Sequence, residues 1–357
     1  MGQQFELTID GKSYAAHTGE TVLQVATRNG IAIPTLCSDD RMDAAGCCRA
    51  CLVEIDGQRR LQPSCAWQAA PDMRVQSDSP KVLKHRELLV SLYLSDHTLD
   101  KDGLPPHTTQ GNALRDWAVA TPHKRLVPVD APRDGRGVDN NPYIGYDPAL
   151  CILCAKCTRY CDEIEAVNAI TLSGRGAHTT IATAGERGLL DTTCELCGGC
   201  IDVCPTGAMH AKQAPRYAKP EEITKVRSTC NYCGVGCQID FNVKDSKIVQ
   251  ITAPPPGTTV NDGNLCVKGR FAYGFVDHPE RLTTPMIRGK DGELHPVTWG
   301  EAIDYAAKGL LAVKAKHGPH ALGFVSSSRC TNEENYLVQK LARAAFGTNN
   351  VHQCAAT

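Results

Sequence analysis

The sequence has few aromatic residues, no long hydrophobic run and no excess of either charge. Aromatic residues make up 5% of the 357 positions, and the formal net charge is -1 at pH 7. Without a basic excess, the composition does not indicate a nucleic-acid-binding protein, and without an acidic tail it does not indicate a solvating one. No apolar run reaches the roughly 18 residues that a membrane-spanning helix needs, so none is predicted.

The first residues, MGQQFELTIDG, also lack targeting signals. They contain no basic segment followed by an apolar one, as a secretory signal would, and Glu6 disfavours myristoylation of Gly2. The 19 cysteines are therefore either disulfide partners in an oxidising compartment or metal ligands in a reducing one. The second interpretation is favoured, and a cytoplasmic metal protein is expected.

Residues 1–78 are predicted to form a small α/β domain. Apolar and polar residues alternate over positions 5–9, and Asp10-Gly11 is typical of a hairpin turn. Thr18 is expected to cap a helix that ends at Gly30. A hairpin, a helix and then a cysteine-rich loop is the order of elements in a β-grasp ferredoxin.

The first cysteine set has the spacing C-x10-C-x2-C-x13-C, which differs from the start of the plant-type ferredoxin pattern. Its sequence context, Pro34–Cys37 and Gly46–Glu54, resembles the 2Fe–2S domain of the large complex I subunit, of iron-only hydrogenases and of NAD-linked formate dehydrogenases. The resemblance implies that Cys47 is a bystander. The alternative is four incidental buried cysteines. The predicted ligands are Cys37, Cys48, Cys51 and Cys65.

Residues 146–215 contain two runs of the form C-x2-C-x2-C-x3-C, the second followed by Pro205. This is the pattern of the bacterial two-cluster ferredoxin, in which the fourth cysteine of each run binds the other cluster. Zinc ribbons use paired C-x2-C units instead, so zinc is the less favoured alternative. One 4Fe–4S cluster is assigned to Cys151, Cys154, Cys157 and Cys204, and the other to Cys161, Cys194, Cys197 and Cys200.

Residues 222–285 contain the third set, with spacing C-x2-C-x3-C-x28-C. Spacing alone would also allow zinc. The surrounding sequence, above all Cys266-Val-Lys-Gly-Arg, resembles the 4Fe–4S domain of the molybdopterin oxidoreductase superfamily. That resemblance implies that Lys268 lies between the cluster and the pterin and relays electrons; outside this motif Lys268 would be a surface charge. The predicted ligands are Cys230, Cys233, Cys237 and Cys266.

Residues 79–145 are predicted to be a connector that begins with a helix over Val82–Leu94 and continues as a polar, Pro- and Gly-rich stretch. Relatives with this domain order carry a further 4Fe–4S cluster here, on one His and three Cys. In this sequence His97 is retained, but Lys101 and Leu104 stand where thiolates are expected. The segment is therefore a degenerate form of that cluster site; its cluster is predicted to be absent and His97 to be an ordinary polar residue.

Residues 286–357 are predicted to begin an α/β molybdopterin-binding domain that is incomplete. Thr298-x-x-Glu301 and Thr331-x-x-Glu334 are capping boxes for helices ending near Gly318 and Gly347, and 321–325 is expected to be a buried strand. Some 70 residues are few for a two-layer core, so apolar helix faces are expected to lack a partner. The complete prediction is an α+β multidomain chain.

The segments Ser326–Tyr336 and Gly347–Val351 resemble the formate dehydrogenase catalytic subunit. The resemblance implies formate oxidation to CO2 at molybdenum or tungsten bound by two molybdopterin guanine dinucleotides. The family's metal-binding selenocysteine or cysteine aligns with position 358, so the chain is expected to be cut at a selenocysteine codon and to contain no catalytic residue itself. The last residues depart from the family at His352, Ala356 and Thr357. Arg329 is expected either to meet pterin phosphate or to be a surface residue.

The expected function is electron transfer from the pterin past Lys268, through three 4Fe–4S clusters, to the 2Fe–2S cluster. The expected acceptor is a diaphorase carrying NAD and FMN, a hydrogenase or a ferredoxin. Two alternatives stay open, namely a stand-alone iron–sulfur carrier and a homologue of the complex I large subunit. The Ser326–Tyr336 match argues against the second.

Overall fold

A computed structural model gives the fold and describes residues 3–124, 126 and 138–354. Residues 125 and 127–137 of the predicted connector, and the departures at Ala356 and Thr357, lie outside the described residues. The chain divides into two compact units. The first comprises Met1–Lys225, Phe241–Thr252 and Asn264–Val267, and the second comprises Val226–Asp240, Ala253–Gly263 and Lys268–Thr357.

The first unit begins with a five-stranded mixed sheet and one helix. The elements are β1 (Gln4–Ile9), β2 (Lys12–His17), α1 (Val22–Arg28), β3 (Leu52–Ile55), β4 (Gln62–Pro63) and β5 (Arg74–Gln76). The sheet order is β2-β1-β5-β3-β4, in which only β1 and β5 run parallel. Asp10 and Gly11 turn the β1–β2 hairpin with φ of 50° and 79°. This is the predicted β-grasp arrangement, and its core lies between α1 and the sheet.

Helix α1 starts one turn later than the sequence suggested. Its N-cap is Thr21, whose hydroxyl accepts from the amide of Gln24 while the Gln24 side chain accepts from the Thr21 amide. The predicted cap, Thr18, instead donates its hydroxyl proton to the carbonyl of Gln3. The prediction was wrong because both threonines precede the apolar run and only Thr21 has Gln three residues later.

Two helices follow, α2 (Pro80–Ser95) and α3 (Ala113–Ala120). The first confirms the helix predicted over 82–94 and is capped by Ser79, whose hydroxyl accepts from the Val82 amide. Both helices contribute to a second core that also contains Cys37, Cys48 and Cys154. Helices α2 and α3, which lie between the first and second cysteine sets in the sequence, thus pack against cysteines of both sets.

The ferredoxin-like region consists of short elements around the cysteine loops. They are β6 (Ile144–Tyr146), α4 (Lys156–Arg159), a π turn (Tyr160–Ile164), β7 (Ile170–Ser173), β8 (Thr180–Thr183), α5 (Gly199–Asp202) and β9 (Met209–Ala211). Strand β6 pairs antiparallel with β9, and β7 with β8. Short 3-10 turns lie at Pro148–Leu150, Gly176–His178, Ala184–Glu186, Leu189–Asp191, Pro220–Glu222 and Pro319–Ala321.

The remaining elements are β10 (Thr224–Thr229), β11 (Gln238–Lys244), β12 (Lys247–Thr252), α6 (Val267–Phe271), β13 (Met286–Arg288), β14 (Leu294–Pro296), α7 (Trp299–His317), β15 (Phe324–Ser327), α8 (Asn332–Lys340), a π turn (Leu341–Phe346) and β16 (Val351–Cys354). Strands β13 and β14 pair antiparallel, and β15 pairs with β16 in parallel. Among the described residues, no helix is long and apolar enough to cross a bilayer.

Both predicted capping boxes are present, at Thr298 for α7 and at Thr331 for α8, and Gly347 ends the second helix with φ of 74°. The predicted buried strand was misplaced. It covers 324–327 rather than 321–325, and Val325 is 71% exposed. Strand β15 pairs with β16 in a two-stranded sheet, and the described part of the chain places no layer over the Val325 side chain.

Candidate functional site

The four cysteines of the first set are all buried and come together in pairs. The amide of Cys48 lies 3.5 Å from Cys37 Sγ, and contacts with the thiols of Cys47 and Cys48 lower the pKa of Cys37. A hydrogen bond with the Cys65 thiol likewise lowers the pKa of Cys51. The same contacts raise the pKa of Cys48 and of Cys65. Each pair therefore favours one thiolate, the form that binds iron, and the second thiol depends on the bound cluster to lose its proton.

Cys47, the bystander, lies close to another ligand set. Its Sγ is 3.3 Å from the carbonyl oxygen of Cys154, which belongs to the first ferredoxin run. Arg159, between the cysteines of the same run, donates to the carbonyls of Cys37 at 2.5 Å and Asp43 at 2.6 Å. The 2Fe–2S loop and the ferredoxin-like region are thus joined by direct contacts within the first unit.

The second ferredoxin run lines a cavity. Backbone amides point at three of the sulfurs: Ala169 N at Cys161 (3.2 Å), Leu196 N at Cys194 (3.4 Å) and Gly199 N at Cys197 (3.5 Å). Left-handed backbone at residues 196 and 198 turns the loop around the cavity. The lining cysteines are Cys161, Cys194, Cys197 and Cys200.

The first run lines a second cavity. The amides of Leu153 and Met209 lie 3.4 Å from the sulfurs of Cys151 and Cys204, and residues 153 and 155 are left-handed, as 196 and 198 are in the other loop. Burial raises the pKa of Cys157, so this thiol depends on a bound cation to lose its proton. The lining cysteines are Cys151, Cys154, Cys157 and Cys204.

These cavities suit clusters of several irons. In the described part of the chain, no three His, Cys, Asp or Glu side chains converge on a point where one ion could sit; the thiols instead surround a space. Amide donors directed at sulfur stabilise thiolate charge and are among the features that set cluster potentials. The residues present therefore fit 4Fe–4S clusters in both cavities, and each cavity combines one cysteine from one run with three from the other.

The third set is more exposed. Within the second unit, Cys230 N donates to the Cys237 carbonyl at 2.8 Å and closes the loop that carries Cys233. Cys233 and Cys266 are exposed, whereas Cys230 and Cys237 are half-buried. Cys266 belongs to the first unit.

The two predicted cofactor-binding residues lie in the second unit. Lys268, in α6, is half-buried. The Arg329 guanidinium lies 5.1 Å from the ring centre of Tyr232, between Cys230 and Cys233. In this structure Arg329 is thus an exposed residue that stacks on the cysteine loop.

The segment around residues 97–104, predicted to be a degenerate cluster site, contains a buried histidine and a loop whose two aspartates form ion pairs with an arginine. His97 is 9% exposed, its Nδ1 lies 2.8 Å from the Thr98 carbonyl, and burial lowers its pKa. Lys101 is exposed. Arg115 forms ion pairs with Asp100 (3.3 Å) and Asp102 (2.6 Å). The segment itself supplies no thiol, because the sequence contains no cysteine between Cys65 and Cys151.

Sequence reasoning missed three arginines at these sites, namely Arg86, Arg115 and Arg159. The side chains of Arg115 and Arg159 donate to residues at least 10 positions away, and Arg86 is buried, so their surroundings depend on the fold. No local pattern marks such residues, although Arg159 lies inside the ferredoxin run.

Four family models match parts of the chain. They are the 2Fe–2S iron–sulfur cluster binding domain (residues 2–80), the ferredoxin-like domain of NADH-quinone oxidoreductase subunit 3 (141–210), the molybdopterin oxidoreductase Fe4S4 domain (223–278) and molybdopterin oxidoreductase (281–357). The chain thus has a 2Fe–2S domain, 4Fe–4S domains and the start of a molybdopterin oxidoreductase domain, in that order. The matches support the molybdopterin oxidoreductase family without singling out formate dehydrogenases within it.

Two curated relatives are similar along almost the whole of this chain. The chain is 35% identical over 346 residues to the NADPH-Fe(3+) oxidoreductase subunit alpha of Geobacter sulfurreducens, covering 97% of the chain and 40% of the relative. It is 30% identical over 400 residues to a Staphylococcus aureus protein named "Putative formate dehydrogenase", covering 99% and 39%. The chain therefore spans about two fifths of these relatives.

A solved NAD+-reducing NiFe hydrogenase in the H2-reduced state is also similar to part of the chain. The TM-score is 0.53 and the identity 29%, covering 60% of this chain and 90% of that one.

Proposed function

Because the chain carries 2Fe–2S, 4Fe–4S and molybdopterin oxidoreductase domains in this order, we propose that it is the electron-transferring part of a formate dehydrogenase catalytic subunit. The whole protein would oxidise formate to CO2 at a molybdenum or tungsten site with two pterin guanine dinucleotides. The segment Ser326–Tyr336 and the Staphylococcus aureus relative support formate as the substrate. Selenocysteine at position 358 stays a prediction.

The observation that carries the electron-transfer part of this proposal is the pair of cysteine-lined cavities. We propose that they hold two 4Fe–4S clusters, that the first set holds a 2Fe–2S cluster and that the third holds another 4Fe–4S cluster. Iron–sulfur clusters, when bound, supply one-electron transfer. The protein's part is to surround the thiolates, donate amides to them and bring the ligand loops close together.

The contacts between the ligand loops support an order of transfer that ends at the 2Fe–2S domain. Cys47 and Arg159 connect the loop of Cys37 with the run that contains Cys154. We propose that electrons leave from there to a partner subunit, namely a diaphorase, a hydrogenase or a ferredoxin. The domain bounds proposed from the sequence assign each cluster on this route to a domain. The domains are 1–78, 79–145, 146–215, 222–285 and 286–357.

Metal analysis of the chain purified without oxygen tests the cluster assignments. Full loading of the four sites gives about fourteen irons per chain. Cys161→Ala is expected to remove about four of them, because Cys161 lines the cavity of Cys194, Cys197 and Cys200, and adding Cys194→Ala should remove no more.

Cys330→Ala is the matched control, since this half-buried cysteine belongs to none of the four sets and should leave the iron content unchanged. Stoichiometric zinc in place of iron would refute the assignments. Additive losses from Cys161→Ala and Cys194→Ala would refute the shared site.

Formate dependence is tested on the whole protein. Anaerobic formate should reduce the 2Fe–2S centre, detected by its electron paramagnetic resonance signal, and NADPH without a partner subunit should not. The 35% identical Geobacter sulfurreducens relative favours a second candidate, an electron-transferring subunit of an NADPH-linked oxidoreductase. Failure of formate together with reduction by NADPH through a flavin-containing partner would favour that candidate.

A further inference from the structure

The buried face of α2 contains one charged residue. Val82, Val90 and Leu94 form an i, i+4 stripe on this face, and Arg86 occupies the position between the two valines. Arg86 is only 8% exposed. An arginine among apolar residues of a helix stripe is rarely buried unless something pairs with its charge.

The guanidinium of Arg86 has two buried donors without a partner. Among the described residues, neither Nε nor Nη2 finds a hydrogen-bond acceptor, and both atoms are inaccessible to solvent. These atoms form one edge of the guanidinium, the edge that pairs with a bidentate anion. Arg86 also lines an open groove together with Leu83 and Trp117, but because Nε and Nη2 are closed off from solvent, an anion in that groove cannot reach these two atoms. Whatever satisfies these donors therefore lies inside the first unit.

Helix α2 packs along the 2Fe–2S ligand loop on both sides of Arg86. One residue before it, His85 Nε2 lies 3.1 Å from the Arg49 carbonyl, and two turns later the Tyr93 hydroxyl donates to the Cys48 carbonyl at 3.1 Å. Val90 shares a core with Cys37 and Cys48. Arg86 therefore lies in a helix whose other side chains contact the carbonyls of residues 48 and 49, where the turn between the predicted ligands Cys48 and Cys51 begins.

Few other charges can balance this guanidinium. Burial lowers the pKa of Arg86, and the charges of Asp78, Cys51 and Asp10 oppose that effect. The Asp10 carboxylate already accepts two 2.6 Å hydrogen bonds from Ser77. No salt bridge to Arg86 is found within the described ranges. Of the three acidic neighbours, Asp78 acts most strongly on Arg86 but is exposed, as Asp10 is, so water screens both charges. Cys51, a predicted cluster ligand, is the buried one of the three.

We infer that Arg86 is the positive counter-charge of the 2Fe–2S centre and raises its reduction potential. The inference rests on the proposed function in one respect, that Cys37, Cys48, Cys51 and Cys65 bind this cluster. One-electron reduction adds a negative charge to a centre that is already anionic. A fixed positive charge nearby favours the reduced form, and the proton stays on the guanidinium throughout, because arginine does not titrate in proteins.

The test is a potential titration of the 2Fe–2S signal, followed by electron paramagnetic resonance, in the full chain loaded with iron. Arg86→Met removes the charge and retains an apolar side chain about as long as the aliphatic stem of arginine; it should make reduction roughly tenfold less favourable, a fall of about 59 mV for a one-electron couple. Arg86→Lys should keep most of the potential. Lys84→Met, which removes an exposed cation from the same helix, should leave it unchanged.

Each outcome decides the inference. A fully loaded Arg86→Met with unchanged potential would overturn it. If Arg86→Met loads no 2Fe–2S cluster, Arg86→Gln and Arg86→Lys decide instead. A charge role is supported if the Lys variant retains the cluster while the Gln variant loses it or shows a lower reduction potential. Equal behaviour of the two variants refutes a charge role. Failure of the unchanged chain to show a 2Fe–2S signal would refute the proposed function, which separates the two failures.

Discussion

Helices α2 and α7 begin in the same way and are buried very differently. Ser79 caps the first and Thr298 the second, each with its hydroxyl accepting an amide three residues later. Yet α2 buries five residues along its 16, whereas α7, with 19, buries none. Trp299 and Ile303 of α7 are 71% and 61% exposed.

The difference shows that the sequence signals which start a helix are separate from the contacts that bury it. A cap and an apolar period define where a helix forms, because they act within one or two turns. What the apolar face packs against is decided by distant segments. In the first unit these segments include the cysteine loops, so the cores and the ligand sites depend on the same residues. The two regions should therefore respond differently to the same substitution.

Glycine-to-alanine substitution gives the largest expected contrast. At Gly199, beside Cys200, a Cβ atom would overlap the ring of Tyr160, which is 1% exposed and cannot move aside. Gly199→Ala should destabilise the first unit by about 3 kcal/mol, the upper end of overpacking costs, and reduce its iron content. At Gly309 of α7 nothing lies within 4 Å, so Gly309→Ala should stabilise by about 1 kcal/mol.

Calorimetry with parallel iron analysis measures both glycine effects. Retention of iron and of the unfolding temperature in Gly199→Ala would mean that the ferredoxin-like region is not tightly packed there. A loss of stability in Gly309→Ala would show that the exposed helix has a close neighbour at this position.

Leucine-to-alanine substitution gives the next contrast. Leu114 of α3 is fully buried in the core that contains Cys37, Cys48 and Cys154, whereas Leu311 of α7 is 52% exposed. Leu114→Ala should cost at least about 2 kcal/mol through lost burial and the cavity left behind. Leu311→Ala should change the free energy of unfolding by no more than about 0.5 kcal/mol. Denaturant unfolding of the two variants measures both values, and equal costs would contradict the burial difference.

The sequence was informative wherever a few neighbouring residues suffice. The hairpin at Asp10-Gly11, helix α2 and the two capping boxes were predicted because their hydrogen bonds close over two to four residues. The two interleaved cysteine sets could also be proposed from spacing, since a loop that wraps a cluster leaves a fixed pattern.

Features that depend on distant contacts were missed. A run such as 321–325 is equally apolar whether or not a layer covers it, so the exposure of Val325 could not be foreseen. The acceptors of Arg159 lie more than 100 positions away. Arg86 is buried although a charged side chain is usually exposed, so its position could not be predicted from the residue type. Buried charges and loop-to-loop contacts thus require the fold.

The two threonine caps should behave alike in both regions, because a cap acts locally. Thr21→Ala and Thr298→Ala should each cost about 1 kcal/mol, since each removes a hydroxyl that accepts the third amide of its helix. Thr18→Ala is the matched control, because its hydroxyl bonds only to the carbonyl of Gln3 and no helix amide loses a partner. Thermal unfolding ranks the three, and a larger loss for Thr18→Ala than for Thr21→Ala would contradict the position of the cap.

The smallest expected effect is a pH-dependent ion pair on the β-grasp domain. Glu20 accepts from Arg28 at 2.8 Å and from the His17 amide at 2.7 Å. Although burial acts to raise the pKa of Glu20, these partners lower it below the ordinary 4.5. A lowered carboxylate pKa stabilises the fold fully above 4.5 and loses that effect as pH falls through the folded value. Glu20→Gln should therefore cost less than about 1 kcal/mol at pH 7, and this cost should shrink as the pH falls below 4.5. Comparing unfolding temperatures of the two proteins from pH 7 to pH 3 checks this, and a difference that grows on acidification would contradict the sign.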